Sequence, residues 1–510
     1  MPTSAAQAAN SGTVMQVDPP QGPNPQSLAE LEARLARDLE LLLIPPAKAW
    51  LQPTAHPRWG RLLDVAIIGA GMGGLATAFA LKRLGVHNIR LFDRAPEGFE
   101  GPWVSYARMQ TLRSPPELVG PALGLANLTF RAWFEAQFGA AAWPAVHRIS
   151  RLQWMAYLRW YRRMLAVPIE NEVEITDIAG DTTAVCLQLR SAVEERRIAA
   201  RRVVLATGRD GLGGPFVPEL FRALDRAHWA HSSDEIDFAA LRGKIVGVLG
   251  AGASAVDNAG EALEAGAARV AMLVRRPDVP RINRGMGIGS PGMWHGFNRL
   301  TLAQRWSIVQ HIADHAIPPP RDSMQRCSRH ENFSIIAGCT PLRVWLDERR
   351  VRLETSRGPL VFDYLILCTG FAVAWDRRPE LACLAPHVVR WRDRFQPAGG
   401  DDYEQADDPF LGGDMEFLER QPGVAPWVQR VHCFTFPAFM SHGPLTGDIP
   451  AISVGAERVA TGITGALFAE DYDRNWARLL AWDTPELEGD EYVLDQDVAK
   501  FAADPAPSGA

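Results

Sequence analysis

Short apolar runs and helix-period patterns alternate along the middle of the chain. Residues 65–68 form an apolar run with the look of a strand buried on both faces, and it breaks directly into Gly-x-Gly-x-x-Gly with Gly69, Gly71 and Gly74. A helical stretch comes next: Leu75, Ala78, Phe79 and Leu84 share one face, and Gly85 stands where a helix stops. A second strand, NIRLFDR, closes on Asp93 and Arg94, with Asp93 at 93 − 69 = 24 residues past the first glycine. The same order returns in KIVGVLGAGASA, where a strand meets Gly250-x-Gly252-x-x-Ala255 and a helix, 250 − 69 = 181 residues downstream. Two charged hairpin patterns each lead into an apolar strand that ends in Thr-Gly: RRVVLATG with Thr207 and Gly208, and FDYLILCTG with Thr369 and Gly370.

These patterns predict an α/β fold in three layers with two Rossmann-like dinucleotide-binding domains, the second inserted in the first. Residues 1–26, rich in Ala, Ser, Gln, Pro and Gly, are expected to be a disordered tail. Residues 27–60 hold an amphipathic helix and a linker, with Ser27 as N-cap and Glu30 three positions later. The first dinucleotide domain then covers 61–215, the inserted one 216–361, and the return to the first domain 362–510. Within the first, EGFEGPWVSYARMQTLRSPPELVG is a long loop, a length that usually carries function. The helix starting at Arg151 has an aromatic stripe of Trp154, Tyr157 and Tyr161, expected in the core.

Composition narrows the function. A chain of 510 residues calls for about two to three domains, and 47% hydrophobic with 22% charged residues is ordinary for a globular protein. A net charge of −6 without a Lys/Arg-dense block argues against nucleic acid as partner. No apolar run approaches the roughly 20 residues of a membrane span, and the N-terminus has no signal-peptide pattern, so a cytoplasmic location is the expectation. The six cysteines include no Cys-x-x-Cys and no metal-ligand spacing, so buried thiols and no metal are expected.

The glycine turns carry the chemistry. Gly69, Gly71, Gly73 and Gly74 let the backbone turn sharply and approach a pyrophosphate, which the following helix meets with free N–H groups. Asp93 stands where a carboxylate accepts ribose hydroxyls. In the second unit, Gly250, Gly252 and Ser254 form the phosphate turn, and the second strand ends in Arg275 and Arg276. A basic end there favours the 2′-phosphate of NADP; a solvated arginine pair is the alternative.

Taken together, GAGMGG, the GPW motif ending at Trp103, Met109-Gln110, RLQWMAYLRW, GAGASA and DYLILCTGF resemble the class B flavoprotein monooxygenases, most of all their N-hydroxylating branch. The likeness runs from about residue 61 to about 468. It implies FAD and NADPH as cofactors: NADPH reduces the flavin, oxygen adds at its C4a carbon, and one oxygen atom passes to a small-molecule substrate while the protein supplies binding and a dry pocket. Trp103, Met109 and Gln110 are then expected on the flavin side, with Gln110 facing the isoalloxazine. Asp448 precedes a helix whose N-terminus would lie under the flavin's pyrimidine edge, an ordinary capped helix being the alternative. Asn283 matches an Asn that the branch places beside nicotinamide and substrate. Its neighbours Arg281 and Arg284 suit a carboxylate, which suggests N-hydroxylation of a small, acidic, aspartate-like amine; surface arginines are the alternative.

Departures from the family pattern limit this. The flavin monooxygenases' Phe-x-Gly-x-x-x-His linker survives only as His231-Ser232-Ser233, which weakens a Baeyer–Villiger assignment, and the Lys-Asp-Leu of ornithine hydroxylases is replaced by Pro115-Pro116-Glu117. Ketone or sulfide oxidation is the runner-up, and an NAD(P)H:acceptor flavin reductase or a binding role are the other classes. A homo-oligomer is compatible with the sequence.

Overall fold

The computed structural model describes residues 25–398, 400, 403 and 405–501. The tail expected over 1–26 therefore lies outside the described residues, except for Pro25 and Gln26, which open the first helix, Pro25–Leu41. Ser27 is inside that helix rather than its cap. Proline is tolerated in a first turn because its missing N–H would have no partner there. Leu31 and Leu35 bury one face of the helix, and its polar side reaches the first domain through Asp38, which accepts from Asn127 Nδ2 at 2.6 Å, and Glu32, which accepts from Trp160 Nε1 at 3.0 Å.

The first glycine turn belongs to a sheet in which Ile169–Glu170, Ile89–Phe92, Leu63–Ile68 and Glu195–Leu205 run parallel in that order. Glu195–Leu205 is long because it serves two partners on one side. Its first half closes an antiparallel meander with Val185–Arg190, and its end pairs in parallel with Val431–Cys433, which returns from the far end of the chain. Across this sheet, Met72–Arg83 covers one part with Gly74 through Leu81 buried. The Arg151–Leu165 helix buries Trp154, Tyr157 and Tyr161, as its aromatic stripe predicts.

A second, five-stranded sheet is parallel throughout, in the order Trp229–His231, Tyr364–Leu367, Ile245–Leu249, Arg269–Val274, Phe333–Ala337. Its core gathers Val246, Val248, Val256, Ala259, Val270 and Met272 under the helix Ala253–Glu264. An antiparallel meander of Pro341–Asp347, Arg350–Thr355 and Gly358–Phe362 leads into Tyr364–Leu367, repeating the meander-then-strand order of the first domain. The return expected at residue 362 thus comes later: Tyr364–Leu367 lies inside the second sheet, hydrogen-bonded on both edges. The chain crosses back at Phe371–Val373, which pairs with Gly213–Pro215 on the outgoing strand.

The chain divides into a large unit ending at Thr464 and a small one starting at Gly465. In the small unit the helix Tyr472–Leu480 stacks Tyr472 on Trp476 at 6.3 Å, and both rings are exposed. No helix among the described residues is long and apolar enough to cross a membrane. All six cysteines are free; Cys327, Cys339 and Cys433 are buried, Cys186 and Cys368 half-buried, and Cys383 exposed.

Candidate functional site

The first glycine turn separates glycines the chain needs for itself from one it does not. Gly69 has φ +102°, and a Cβ there would stand 2.4 Å from Ala206 O; at Gly74 it would stand 1.9 Å from Gly69 O. Both are required so that strand and helix can pack. Gly71 is different: its φ of −70° suits any residue, and a Cβ would come no closer than 3.8 Å to protein. The space above Gly71 is therefore open to a ligand that must approach the backbone, and a pyrophosphate at the N-terminus of Met72–Arg83 fits it. Asp93 sits at the turn's edge with Oδ2 accepting from Ala70 N at 2.7 Å and Oδ1 from Ala95 N at 2.8 Å. Those bonds fix the carboxylate and leave lone pairs for a ribose. Arg94 beside it is exposed, and a Cβ on Gly73 would rest 3.4 Å from the Phe434 ring.

Beneath this turn the long loop is tied by a network that sequence reading missed. Buried Glu100 accepts from Gly98 N at 2.9 Å and Asn171 Nδ2 at 2.7 Å and pairs with Arg162. Arg151, first residue of its helix, donates its backbone N–H to Gln110 O at 3.1 Å and its guanidinium to Trp103 O at 2.6 Å. One residue thus holds both ends of the segment carrying Trp103, Met109 and Gln110. Trp103 meets Trp154 edge to face at 6.3 Å, Met109 is half-buried, and the Gln110 side chain is exposed.

The second turn repeats the division. Gly250 has φ +139° with a Cβ position 2.7 Å from Cys368 O, whereas Gly252 has φ −89° and nothing within 4 Å. Again the middle glycine leaves open space beside its backbone, and exposed Ser254 lies in the first turn of the helix above it. Arg275 and Arg276 stand at the end of the second strand and line a cavity of about 370 Å³ with Gln310, Ala313 and Asp314. They are not equivalent. Arg276 donates to the carbonyls of Asp314 at 2.5 Å and Ala313 at 3.2 Å, capping the C-terminus of Leu302–His315, while Arg275 is exposed. In the same domain Asp257 is 4% exposed, and burial pushes its carboxyl up to about 6.

Thr369 Oγ1 bonds Phe216 O, and Gly370 O accepts from Phe216 N at 2.8 Å, so this Thr-Gly pair, a candidate for cofactor contact, also clasps the interdomain crossing. Thr207 Oγ1 is buried against Gly211, and Gly208 has open space at its Cβ position. Arg281 is 84% exposed and pairs loosely with Asp278 at 3.7 Å, Arg284 is exposed as well, and Asn283 between them opens a short turn at Arg284–Gly287. Asp448 is half-buried, its carboxyl raised by burial against a smaller opposing effect of Arg113, and it precedes the turn Ile449–Ala451; the long helix starts only at Ile452.

Next to Asp448 lies Phe436, which no motif or periodicity singles out. A Cβ on Gly447 would lie 3.1 Å from this ring, Phe436 N donates to Gly208 O at 3.3 Å, and the Arg209 guanidinium lies 4.5 Å from the ring centre. An exposed aromatic face and a cation therefore meet between the first Thr-Gly turn and Gly447-Asp448. In the crossing, His231 Nδ1 bonds Ser233 Oγ at 2.8 Å and the His231 backbone N–H donates to Asp234 Oδ2 at 2.7 Å; burial lowers the imidazole pKa.

Residues 61–311 match the family of L-lysine 6-monooxygenase/L-ornithine 5-monooxygenase. A FAD-dependent urate hydroxylase of Xanthomonas campestris pv. campestris is 39% identical over 465 residues, 91% of this chain and 98% of that protein. Among solved structures, an ornithine hydroxylase from Pseudomonas aeruginosa superposes with a TM-score of 0.62 at 16% identity, over 80% of this chain and 100% of that one. An L-lysine 6-monooxygenase from Pseudomonas syringae superposes with a TM-score of 0.60 at 18% identity, over 80% and 99%.

Proposed function

The chain belongs to the class B flavoprotein monooxygenases, in the family of the lysine and ornithine hydroxylases, and from that premise we propose that its substrate is a planar, anionic, purine-like ring of the urate class. It is a flavin-dependent monooxygenase with FAD and NADPH as cofactors. Bound FAD, reduced by NADPH, supplies the activation of O₂; the balance is one substrate, one O₂, one NADPH and one proton in, and one hydroxylated product, one NADP⁺ and one water out.

The observation that carries the substrate reading is the 39% identity to a urate hydroxylase, extending over 98% of that protein. The site supports it in two ways. Phe436, partly exposed and stacked on Phe439, carries the Arg209 guanidinium over its ring, an aromatic–cation pair suited to a planar anion. Arg281 and Arg284, the arginines that suit the carboxylate of an acidic amino acid, are both exposed, and Arg281 lies 3.7 Å from Asp278.

The chain's own residues do the positioning. The turns at Gly71 and Gly252 would admit the two pyrophosphates, Asp93 would hold a ribose, and Arg275 would meet the 2′-phosphate that distinguishes NADPH. Arg151 fixes the Trp103–Gln110 segment, which would give a bound flavin a rigid wall.

N-hydroxylation of a small amine is the second reading, favoured by the family match over 61–311, which includes Asn283. Oxidation of NADPH measured with urate, with other oxopurines and with a panel of amines separates the two. Acceleration by urate with a hydroxylated product supports the first; acceleration by an amine alone supports the second.

A further inference from the structure

Two contacts from the NADPH domain bracket Met109-Gln110. Thr111 Oγ1 donates to Asp322 Oδ2 at 3.2 Å, and Arg326 Nη1 donates to Arg108 O at 3.4 Å. Asp322 and Arg326 lie four residues apart on the helix Arg321–Ser328, which places both on one face. A single helix of the second domain therefore touches the first domain's flavin-side loop immediately before and immediately after its two flavin-facing residues.

Arg326 is anchored from behind. Only 4% exposed, it donates to Glu264 at 2.5 and 2.8 Å and to Glu261 at 2.8 Å, both in the last turn of Ala253–Glu264. That helix starts at the second glycine turn. Gly260 makes the approach close, since a Cβ there would stand 3.0 Å from Arg326 Cδ and Nε. A third contact joins the loop to the crossing: Arg108 Nη2 donates to Asp234 O at 3.0 Å, and its guanidinium lies 5.6 Å from the centre of the Phe238 ring. Asp234 in turn accepts from His231 N. A buried guanidinium needs acceptors on several sides, and here they come from both domains, so it has one position relative to each.

We propose that Arg326 is a positioning residue that couples occupancy of the NADPH turn at Gly250–Ala255 to the placement of Met109-Gln110 at the flavin. It acts through Glu261 and Glu264 on one side and Arg108 O on the other, with Asp322–Thr111 as the second point of contact. The proposal rests on the reading of the two glycine turns as FAD and NADPH sites.

The test uses FAD-loaded full-length protein and NADP⁺. Amide hydrogen exchange over residues 103–113 is followed with and without NADP⁺, alongside the NADP⁺ dissociation constant and the rate of anaerobic flavin reduction by NADPH. In wild type, NADP⁺ is expected to slow exchange in this segment. In R326M it binds with near wild-type affinity but no longer slows that exchange, and flavin reduction falls about tenfold at saturating NADPH, a loss in kcat rather than KM. R326K restores part of the response. T111V, which removes one half-exposed hydrogen bond and spares the core, is expected to weaken the exchange response if R326M does not fold. An NADP⁺ response in R326M equal to wild type overturns the proposal, as does an unaltered response in T111V combined with D322N. Wild-type protein that binds no FAD, or no NADP⁺, overturns the reading beneath it and the proposal together.

Discussion

The guanidinium of Arg209 lies 4.5 Å from the centre of the Phe436 ring, at the point where the Thr207-Gly208 turn meets Gly447. A planar anion bound here gains stacking from one residue and charge from the other. Stacking on an aromatic face contributes about 1–2 kcal/mol. Phe436→Ala is therefore expected to raise KM for urate about tenfold, with FAD content unchanged. Arg209→Gln should raise it similarly and flatten its dependence on ionic strength. Steady-state kinetics at two salt concentrations check both.

The glycines of the first turn should separate folding from cofactor binding. Gly74→Ala forces a Cβ to within 1.9 Å of Gly69 O, so the apoprotein is expected to lose several kcal/mol or fail to fold. Gly71→Ala meets no protein atom closer than 3.8 Å; it should leave apoprotein stability within about 1 kcal/mol of wild type while FAD is lost on purification. Thermal unfolding and the flavin-to-protein ratio give the comparison. Equal FAD content in G71A and wild type would remove the turn from the FAD site.

The adjacent arginines of the second domain should behave differently. Arg275→Ala is expected to raise KM for NADPH about tenfold and leave NADH nearly untouched, since a charge-assisted contact to the 2′-phosphate is lost. Arg276→Ala removes a cap on the Leu302–His315 helix and should cost about 1 kcal/mol of stability. Kinetics with both nucleotides and urea unfolding distinguish the roles.

Asp257 should leave a signature in the pH dependence of stability. Burial raises its carboxyl from 3.8 to about 6, so the folded state holds the proton that the unfolded chain releases. The stabilisation is complete below about 3.8 and is lost as pH rises through about 6. Asp257→Asn cannot ionise. It should be more stable than wild type by about 2–3 kcal/mol at pH 8 and converge with it below pH 4. Urea midpoints from pH 4 to 8 measure the difference; parallel curves would contradict the assignment. Buried His432 and His442 act in the opposite sense: burial lowers them to about 3 and about 4, so both enzymes' stability should also decline as acid approaches those values.

What could be read from sequence was what depends on local backbone demands. Gly69 and Gly250 announce themselves because a strand must turn at once into a helix, and Asp93 and Arg275 follow at the ends of short strands. The stripe of Trp154, Tyr157 and Tyr161 was legible for the same reason, helical period. Residues whose roles depend on distant partners were not. Arg276 finds its acceptors at Ala313 and Asp314, and Arg326 finds its own at Arg108, Glu261 and Glu264, none of which any periodicity connects. Tyr364–Leu367 has the same look as a strand of either sheet, and only its pairing with Ile245–Leu249 and Trp229–His231 assigns it. Asn283, Arg281 and Arg284 match a family pattern by type, yet irregular backbone sends both arginines to solvent.

The most direct test is a turnover with urate under ¹⁸O₂, with NADPH, oxygen, peroxide and product mass followed together. One NADPH and one O₂ consumed per urate, little peroxide, and a product carrying a single labelled oxygen are expected. NADPH oxidation that ignores urate and yields only peroxide, while an amine from the panel speeds it and acquires the label on nitrogen, would contradict the assignment.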